Sequence, residues 1–272
     1  MHFNRQKIPN KKKLKIRPNS KPANKIEHIP RVKKSKITVE NKKTKNVEIV
    51  KRNKISRYKT FNKWEGCLKG HPAFILGNAP SLSNEKLDIL NPYFTIGINR
   101  IFYIYDPTIL LWQDKEILIQ EHKKIMKQKA IKVCRDISDP RNMFVNFKLI
   151  MGKFKFEKDL YKLYGQGNTG ALAVQIAVLL GCSSVVLIGM DCKYGDGGKT
   201  DFYGNNKDHK WYTLKMCYSA MKWIKNKCPI PVYNCSDIDL WERRELSSVI
   251  KEINPHLLNR EYFAQIFDRR QV

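Results

Sequence analysis

A chain of 272 residues with a net charge of +27 has room for one α/β domain of roughly 200 residues and an extension. No apolar run approaches the ~18 residues that cross a bilayer, and the basic N-terminus lacks the hydrophobic segment of a secretory signal. Seven cysteines with no CxxC pair argue against a disulfide framework and against the usual paired zinc spacing, so reduced thiols and a cytoplasmic setting are expected.

Residues 1–60 carry 21 Lys and Arg against three acids, a net +18, while the remaining 212 residues carry 31 against 22. With Lys11-Lys12-Lys13 and few large apolar residues, this segment reads as a flexible basic arm that buries too little surface to fold by itself. Such an arm suits DNA or another polyanion, through release of counterions from phosphates. A solubilising tail is the plainer alternative.

From Phe61 the composition becomes that of a packed domain, taken here as residues 61–272. Ala73 to Leu76 reads as a buried strand that stops at Gly77-Asn78-Ala79-Pro80-Ser81-Leu82, before a helix near 83–90. A strand, a glycine turn and a helix start form the arrangement in which open α/β sheets hold phosphates. Gly77 would let a phosphate approach the backbone, and Asn78 and Ser81 offer polar side chains; an ordinary connection fits the same residues.

Short apolar strands follow at Tyr93–Ile98, ending in Asn99-Arg100, and at Thr108–Trp112, ending in Gln113-Asp114. Continuous apolar runs predict strands covered on both faces, as in a mostly parallel sheet. Glu116–Lys129 has helical character and Ala130–Val133 reads as a strand, whereas 135–165 reads as an irregular, substrate-facing insertion. Gly165-Gln166-Gly167-Asn168-Thr169-Gly170 then leads into an Ala-rich helix ended by Gly181. The strand Ser184–Ile188 follows, with Asp191 just past its carboxyl end. Beyond it, the polar loop 191–209 bears Tyr194, Tyr203 and His209. A helix over Trp211–Lys227, a strand over Val232–Cys235, a helix over Asp239–Ile253 and a short one over Tyr262–Phe267 complete the chain. The expected fold is α/β: a Rossmann-like, mostly parallel sheet flanked by helices, with the basic arm outside it.

Four of these pieces, in order, resemble the bacterial family 42 sialyltransferases: Gly77-Asn78-Ala79-Pro80-Ser81-Leu82, Ile98-Asn99-Arg100, Asn168-Thr169-Gly170 and Gly189-Met190-Asp191. The resemblance spans about residues 72–236. It implies a metal-independent glycosyltransferase using a nucleotide-sugar donor, a CMP-sugar or another NDP-sugar. Asn78, Ser81, Asn99, Asn168, Thr169 and Gly170 would then contact the nucleotide, Tyr194 and Tyr203 the leaving phosphate, and His209 would be the general base. His near neutral pKa suits removal of an acceptor hydroxyl proton. The same tyrosines and histidine also fit packing and solvated-loop roles.

The opening turn and the Asn99 to Asp114 segment are also similar to the related motility-accessory and 6-hydroxymethylpterin diphosphokinase-like family. That resemblance implies an alternative in which Asp114 and Asp191 hold Mg²⁺ with a nucleotide for phosphotransfer. Asp114 equally fits a helix cap. A noncatalytic nucleic-acid-binding protein is the third reading. For the leading one, the acceptor is a hydroxyl, on a modified DNA base or on a surface glycan.

Overall fold

The computed structural model describes residues 64–141, 143–157, 161–166, 168–206, 210–258 and 260–269. The basic arm lies outside them, as does His209.

Eight strands form one sheet: β1 (Pro72–Leu76), β2 (Thr95–Ile98), β3 (Ile109–Trp112), β4 (Ile131–Arg135), β5 (Val145–Met151), β6 (Lys162–Gly165), β7 (Ser184–Ile188) and β8 (Val232–Cys235). Their spatial order is β6-β5-β4-β3-β2-β1-β7-β8, and every neighbouring pair is parallel. The α/β class and mostly parallel sheet expected from the apolar runs are therefore observed. β1, β2, β3 and β7 are buried at every residue. Alternate side chains enter two cores, as the two-residue period of a strand requires. Ile75, Ile96, Leu111 and Leu187 join one cluster, Phe74, Leu76, Leu110 and Ile188 the other.

The first core is covered by α2 (Thr169–Leu179), α3 (Trp211–Lys227) and α5 (Arg260–Arg269), the second by α1 (Lys115–Lys127), α4 (Leu246–Ile253) and short 3₁₀ turns. Small side chains let α2 lie close on the sheet, and all but one of its residues are buried. Its Gln175 reads the backbone of edge strand β6 from both sides, donating to Tyr164 O (2.7 Å) and accepting from Tyr164 N (3.0 Å). Gly66 N and Leu68 N donate to Leu179 O and Leu180 O, so the start of the domain satisfies carbonyls at the helix's end. Trp64 is fully buried and donates Nε1–H to Phe267 O (3.1 Å), tying that start to α5.

Three expectations change. The helix near 83–90 is instead two 3₁₀ turns, Pro80–Asn84 and Leu87–Leu90, because the backbone is extended at Glu85 between them. The supposed insertion 135–165 contains β5 and β6, which widen the sheet. The helix expected from Asp239 begins only at Leu246. Before it, Asn234 Nδ2 donates to Ser236 O, Ile238 O and Trp241 O, and this holds the chain in a loop.

Candidate functional site

The chain leaves β1 toward β2 on one side and leaves β7 toward β8 on the other. At such a switch point the loops diverge beyond the carboxyl ends of the strands and leave a crevice. A cavity of about 520 Å³ occupies it, walled by the ends of β1, β2, β3 and β7 and by α1, α2 and α3.

The first turn builds the crevice more than it fills it. A Cβ on Gly77 would lie 2.0 Å from Gly189 O, and Gly77 N donates to Ile188 O (2.7 Å). The bareness of Gly77 is required by the backbone after β7, and Gly77 does not line the cavity. Asn78 donates Nδ2–H to Ile98 O (2.8 Å) and accepts from Arg100 N (3.1 Å), so its amide clamps the end of β2 from both sides.

Between those two contacts stands Asn99. It adopts the left-handed conformation (φ 51°), and its buried Oδ1 has no hydrogen-bond partner among the described residues. Non-glycine residues held this way cluster at ligand sites, where the surrounding structure over-determines them. Asn99 lines the cavity.

Ser81 and Asp191 meet across 110 residues. Ser81 N donates to Asp191 Oδ2 (3.0 Å) and Ser81 Oγ to Asp191 Oδ1 (2.5 Å), and Asp237 N also donates to Oδ1 (3.0 Å). Both residues are buried. The Asp191 carboxylate thus ties together the turns after β1, β7 and β8. Its two oxygens accept three internal N–H and O–H hydrogen bonds, and the residue also lines the cavity. Asp114 stands at the N-cap position of α1, makes no cap hydrogen bond, and lines the cavity.

The N-terminus of α2 opens on the same space. Asn168 caps it, accepting from Ala171 N (2.7 Å), and Thr169 Oγ1 accepts from Gln113 Nε2 (2.8 Å). The first-turn amides of Thr169 and Gly170 have no acceptor within the helix, and a helix N-terminus so placed favours an anion. A Cβ on Gly170 would lie 2.9 Å from Met190 Sδ, so any larger residue there would have to displace that flexible side chain.

The loop after β7 folds back over the first turn, with Phe202 N donating to Asn78 O (2.8 Å). This brings Tyr203 into the wall, its ring 5.6 Å from that of Tyr103 and 5.9 Å from the Arg100 guanidinium. Burial, then the Asp201 charge, push the Tyr203 phenol up to about 12 against the opposing effect of Arg100. It stays a neutral O–H donor at physiological pH. Tyr194, in contrast, is exposed and outside the wall.

Asn78, Asn99, Asn168, Thr169, Gly170, Asp191 and Tyr203 are therefore brought together, as is Asp114. Sequence reasoning gave no role to Gln113, Lys193, Asp201 or Cys217, which complete the wall. Gln113 follows a strand and was open to notice; Cys217, within α3, carried no signal.

A model of the family described as 6-hydroxymethylpterin diphosphokinase MptE-like matches residues 41–197. Among solved structures, the MAf glycosyltransferase of Magnetospirillum magneticum AMB-1 aligns over 75% of this chain and 37% of its own length, with a TM-score of 0.51 and 16% identity. At that identity the likeness is one of fold, and the chain spans little more than a third of that protein. The sialyltransferase CstII of Campylobacter jejuni, solved with the substrate analogue CMP-3FNeuAc, aligns over 60% of this chain and 80% of its own (TM-score 0.37, 10% identity). No curated protein matches the chain significantly.

Proposed function

The chain belongs to the MptE-like family, and we propose that it is a glycosyltransferase acting from a nucleotide-sugar donor. One observation carries the proposal. The α2 N-terminus and the buried Asn99 Oδ1, unpartnered among the described residues, line a single cavity in which the Asp191 carboxylate already accepts three hydrogen bonds from the surrounding loops. Such a site has an anion cradle and a polar selector. Asp114 and Asp201 also line the cavity, and they are the carboxylates on which a Mg²⁺-dependent phosphotransferase would draw.

In this reading the donor phosphate sits at Asn168-Thr169-Gly170, and Asn99 hydrogen-bonds the nucleoside. The neutral Tyr203 phenol donates to the phosphate as its charge grows during departure, where a fixed donor stabilises the transition state. Ser81 and Asp191 hold the first turn in place. His209 remains the proposed general base for an acceptor hydroxyl, on a modified DNA base or a glycan, and residues 1–60 would draw in a polyanionic acceptor. The fold shared with a glycosyltransferase supports the reading.

The family's description makes a diphosphokinase the second reading. A thermal-shift screen with CMP, UDP, GDP, ADP and ATP, each with and without Mg²⁺, separates the two. Stabilisation by a nucleoside mono- or diphosphate without metal is expected; a response confined to ATP with Mg²⁺ overturns glycosyl transfer. Tyr203→Phe should lower turnover about 10- to 100-fold with nucleotide affinity nearly unchanged, since it removes a donor needed mainly at departure. Deleting residues 1–60 should flatten the salt dependence of DNA binding if DNA is the acceptor.

A further inference from the structure

The outer face of α3 carries aromatic surface that the fold does not use. Trp211 is 66% exposed and Tyr212 49%, and both open the helix beside the exposed Met216. An indole left in water forgoes the burial its large apolar surface would bring. Trp64 and Trp112, by contrast, are fully buried, and Trp223 stacks on Phe156 (5.0 Å). The Trp211 and Tyr212 rings meet edge to face at 6.1 Å, so two aromatic surfaces stand together.

Lysines flank them. Lys215 and Lys222 lie four and eleven residues beyond Trp211, which puts all three on one stripe of the helix, and Lys210 stands at the N-cap. All three lysines are exposed, and no acidic residue occurs from Lys210 to Lys227. Asp239 meets this helix at Tyr218, whose hydroxyl donates to it. Leu214, Ala220, Met221 and Ile224 are buried, so the exposed apolar surface ends within the first two turns. That is too short a face for a lipid surface, and a neutral glycan would leave the lysines unused. Flat rings bordered by cations match bases joined by phosphates. The same end of α3 lines the first cavity through Thr213, Leu214 and Cys217.

We propose that this face of α3 binds single-stranded nucleic acid, bases stacking on Trp211 and Tyr212 and phosphates meeting Lys210, Lys215 and Lys222. A duplex keeps its base faces stacked inside and offers Trp211 nothing to lie on. The binding does not rest on glycosyl transfer.

Tryptophan fluorescence of the full chain, titrated with an oligothymidylate of about 12 nucleotides, tests it. Saturable quenching is expected, with none from inorganic polyphosphate, which carries charge but no bases. Trp211→Ala should weaken binding of the labelled oligonucleotide about tenfold, read by anisotropy, with the apo melting temperature retained. Trp211→Phe should lose most of the quenching yet bind within about threefold of the parent, since a phenyl ring still stacks. Lys215→Gln with Lys222→Gln should make the salt slope shallower by about 1.4. Residues 1–60 are present in every variant, so any binding by them cancels in these comparisons. No quenching by the oligonucleotide, equal quenching by polyphosphate or by neutral maltohexaose, or an unchanged affinity in Trp211→Ala each overturns the proposal. So does a blue shift with phosphatidylglycerol vesicles that the oligonucleotide fails to reverse.

Discussion

Asp191→Asn is the sharpest test of how the crevice is built. The carboxylate accepts three hydrogen bonds, from Ser81 N, Ser81 Oγ and Asp237 N. An amide keeps one acceptor oxygen and turns the other position into a donor. With the NH₂ at the Oδ2 position, Ser81 N–H faces a donor; with it at Oδ1, Asp237 N–H does, while the Ser81 hydroxyl can rotate to accept. Either way one buried N–H loses its acceptor, which costs about 1–3 kcal/mol. The surviving bonds change from charge-assisted to neutral and weaken by roughly half. A neutral amide is cheaper to bury than a carboxylate, which returns part of the loss. The net expectation is about 2–4 kcal/mol of lost stability. Urea unfolding followed by tryptophan fluorescence reads it as a lower midpoint at an unchanged slope. Nucleotide affinity should fall as well, since the first turn loses its anchor. If the variant unfolds within about 0.5 kcal/mol of the parent and loses only turnover, Asp191 acts in the chemistry and the strut is wrong.

Other consequences follow from the same geometry. Gly77→Ala places a Cβ 2.0 Å from Gly189 O, a backbone atom that cannot rotate away; roughly 2–4 kcal/mol of destabilisation is expected, and an unchanged melting temperature would contradict the contact. Asn99→Gly suits the positive φ and removes the orphaned amide, so stability should stay within about 1 kcal/mol while nucleotide affinity drops about tenfold. Retained affinity, or a clear loss of stability, would show that Asn99 serves the fold. Two of the groups held neutral by burial illustrate the alkaline limb of stability. Burial, then the Glu85 charge, push the Cys235 thiol up to about 12, and the Tyr203 phenol is pushed to the same value. In the unfolded chain such groups lose protons near ~8.5 and ~10. The folded state then binds more protons across that window, so stability is fully present below about pH 8.5 and lost as pH rises toward 12. Urea midpoints at pH 7, 9 and 10.5 should fall in that order; a flat series would show that neither group is protected.

Much of the sheet was legible because its central strands are continuous apolar runs between polar turns, a pattern that needs no distant partner to be read. β5 was missed although Val145-Asn146-Phe147-Lys148-Leu149 alternates, because Lys and Asn there weigh against a buried strand. Asn146 is in fact buried, bonded to Asp139 in the cluster after β4. Asn99 and Thr169, expected from their places at a strand end and a helix start, both line the cavity. The contact at Gly77 was not legible, because the atom that abuts it belongs to Gly189, just past the neighbouring strand. The Ser81–Asp191 bond was hidden for the same reason. Tyr194 and Tyr203 lie on one loop, and their numbers alone do not say which turns inward. The loop's own hydrogen bonds decide it, Gly195 N to Lys199 O and Phe202 N to Asn78 O.

A family described by a diphosphokinase and a fold shared with a glycosyltransferase are less at odds than their names suggest. Both reactions grip a nucleotide phosphate and move a group off it. They part over what opposes the developing charge: metal ions on free carboxylates for phosphoryl transfer, or hydrogen-bond donors and helix amides for a departing nucleotide. In this chain Asp191 is enclosed by Ser81 and Asp237, while Asp114, Asp201, the neutral Tyr203 phenol and a helix N-terminus line the cavity. Freeing Asp191 would require moving the first turn, and that turn carries Asn78, which holds Asn99. A rearrangement that freed Asp191 would therefore disturb Asn99 beside it. Asp191→Asn and the nucleotide screen thus interrogate one structural choice from two sides.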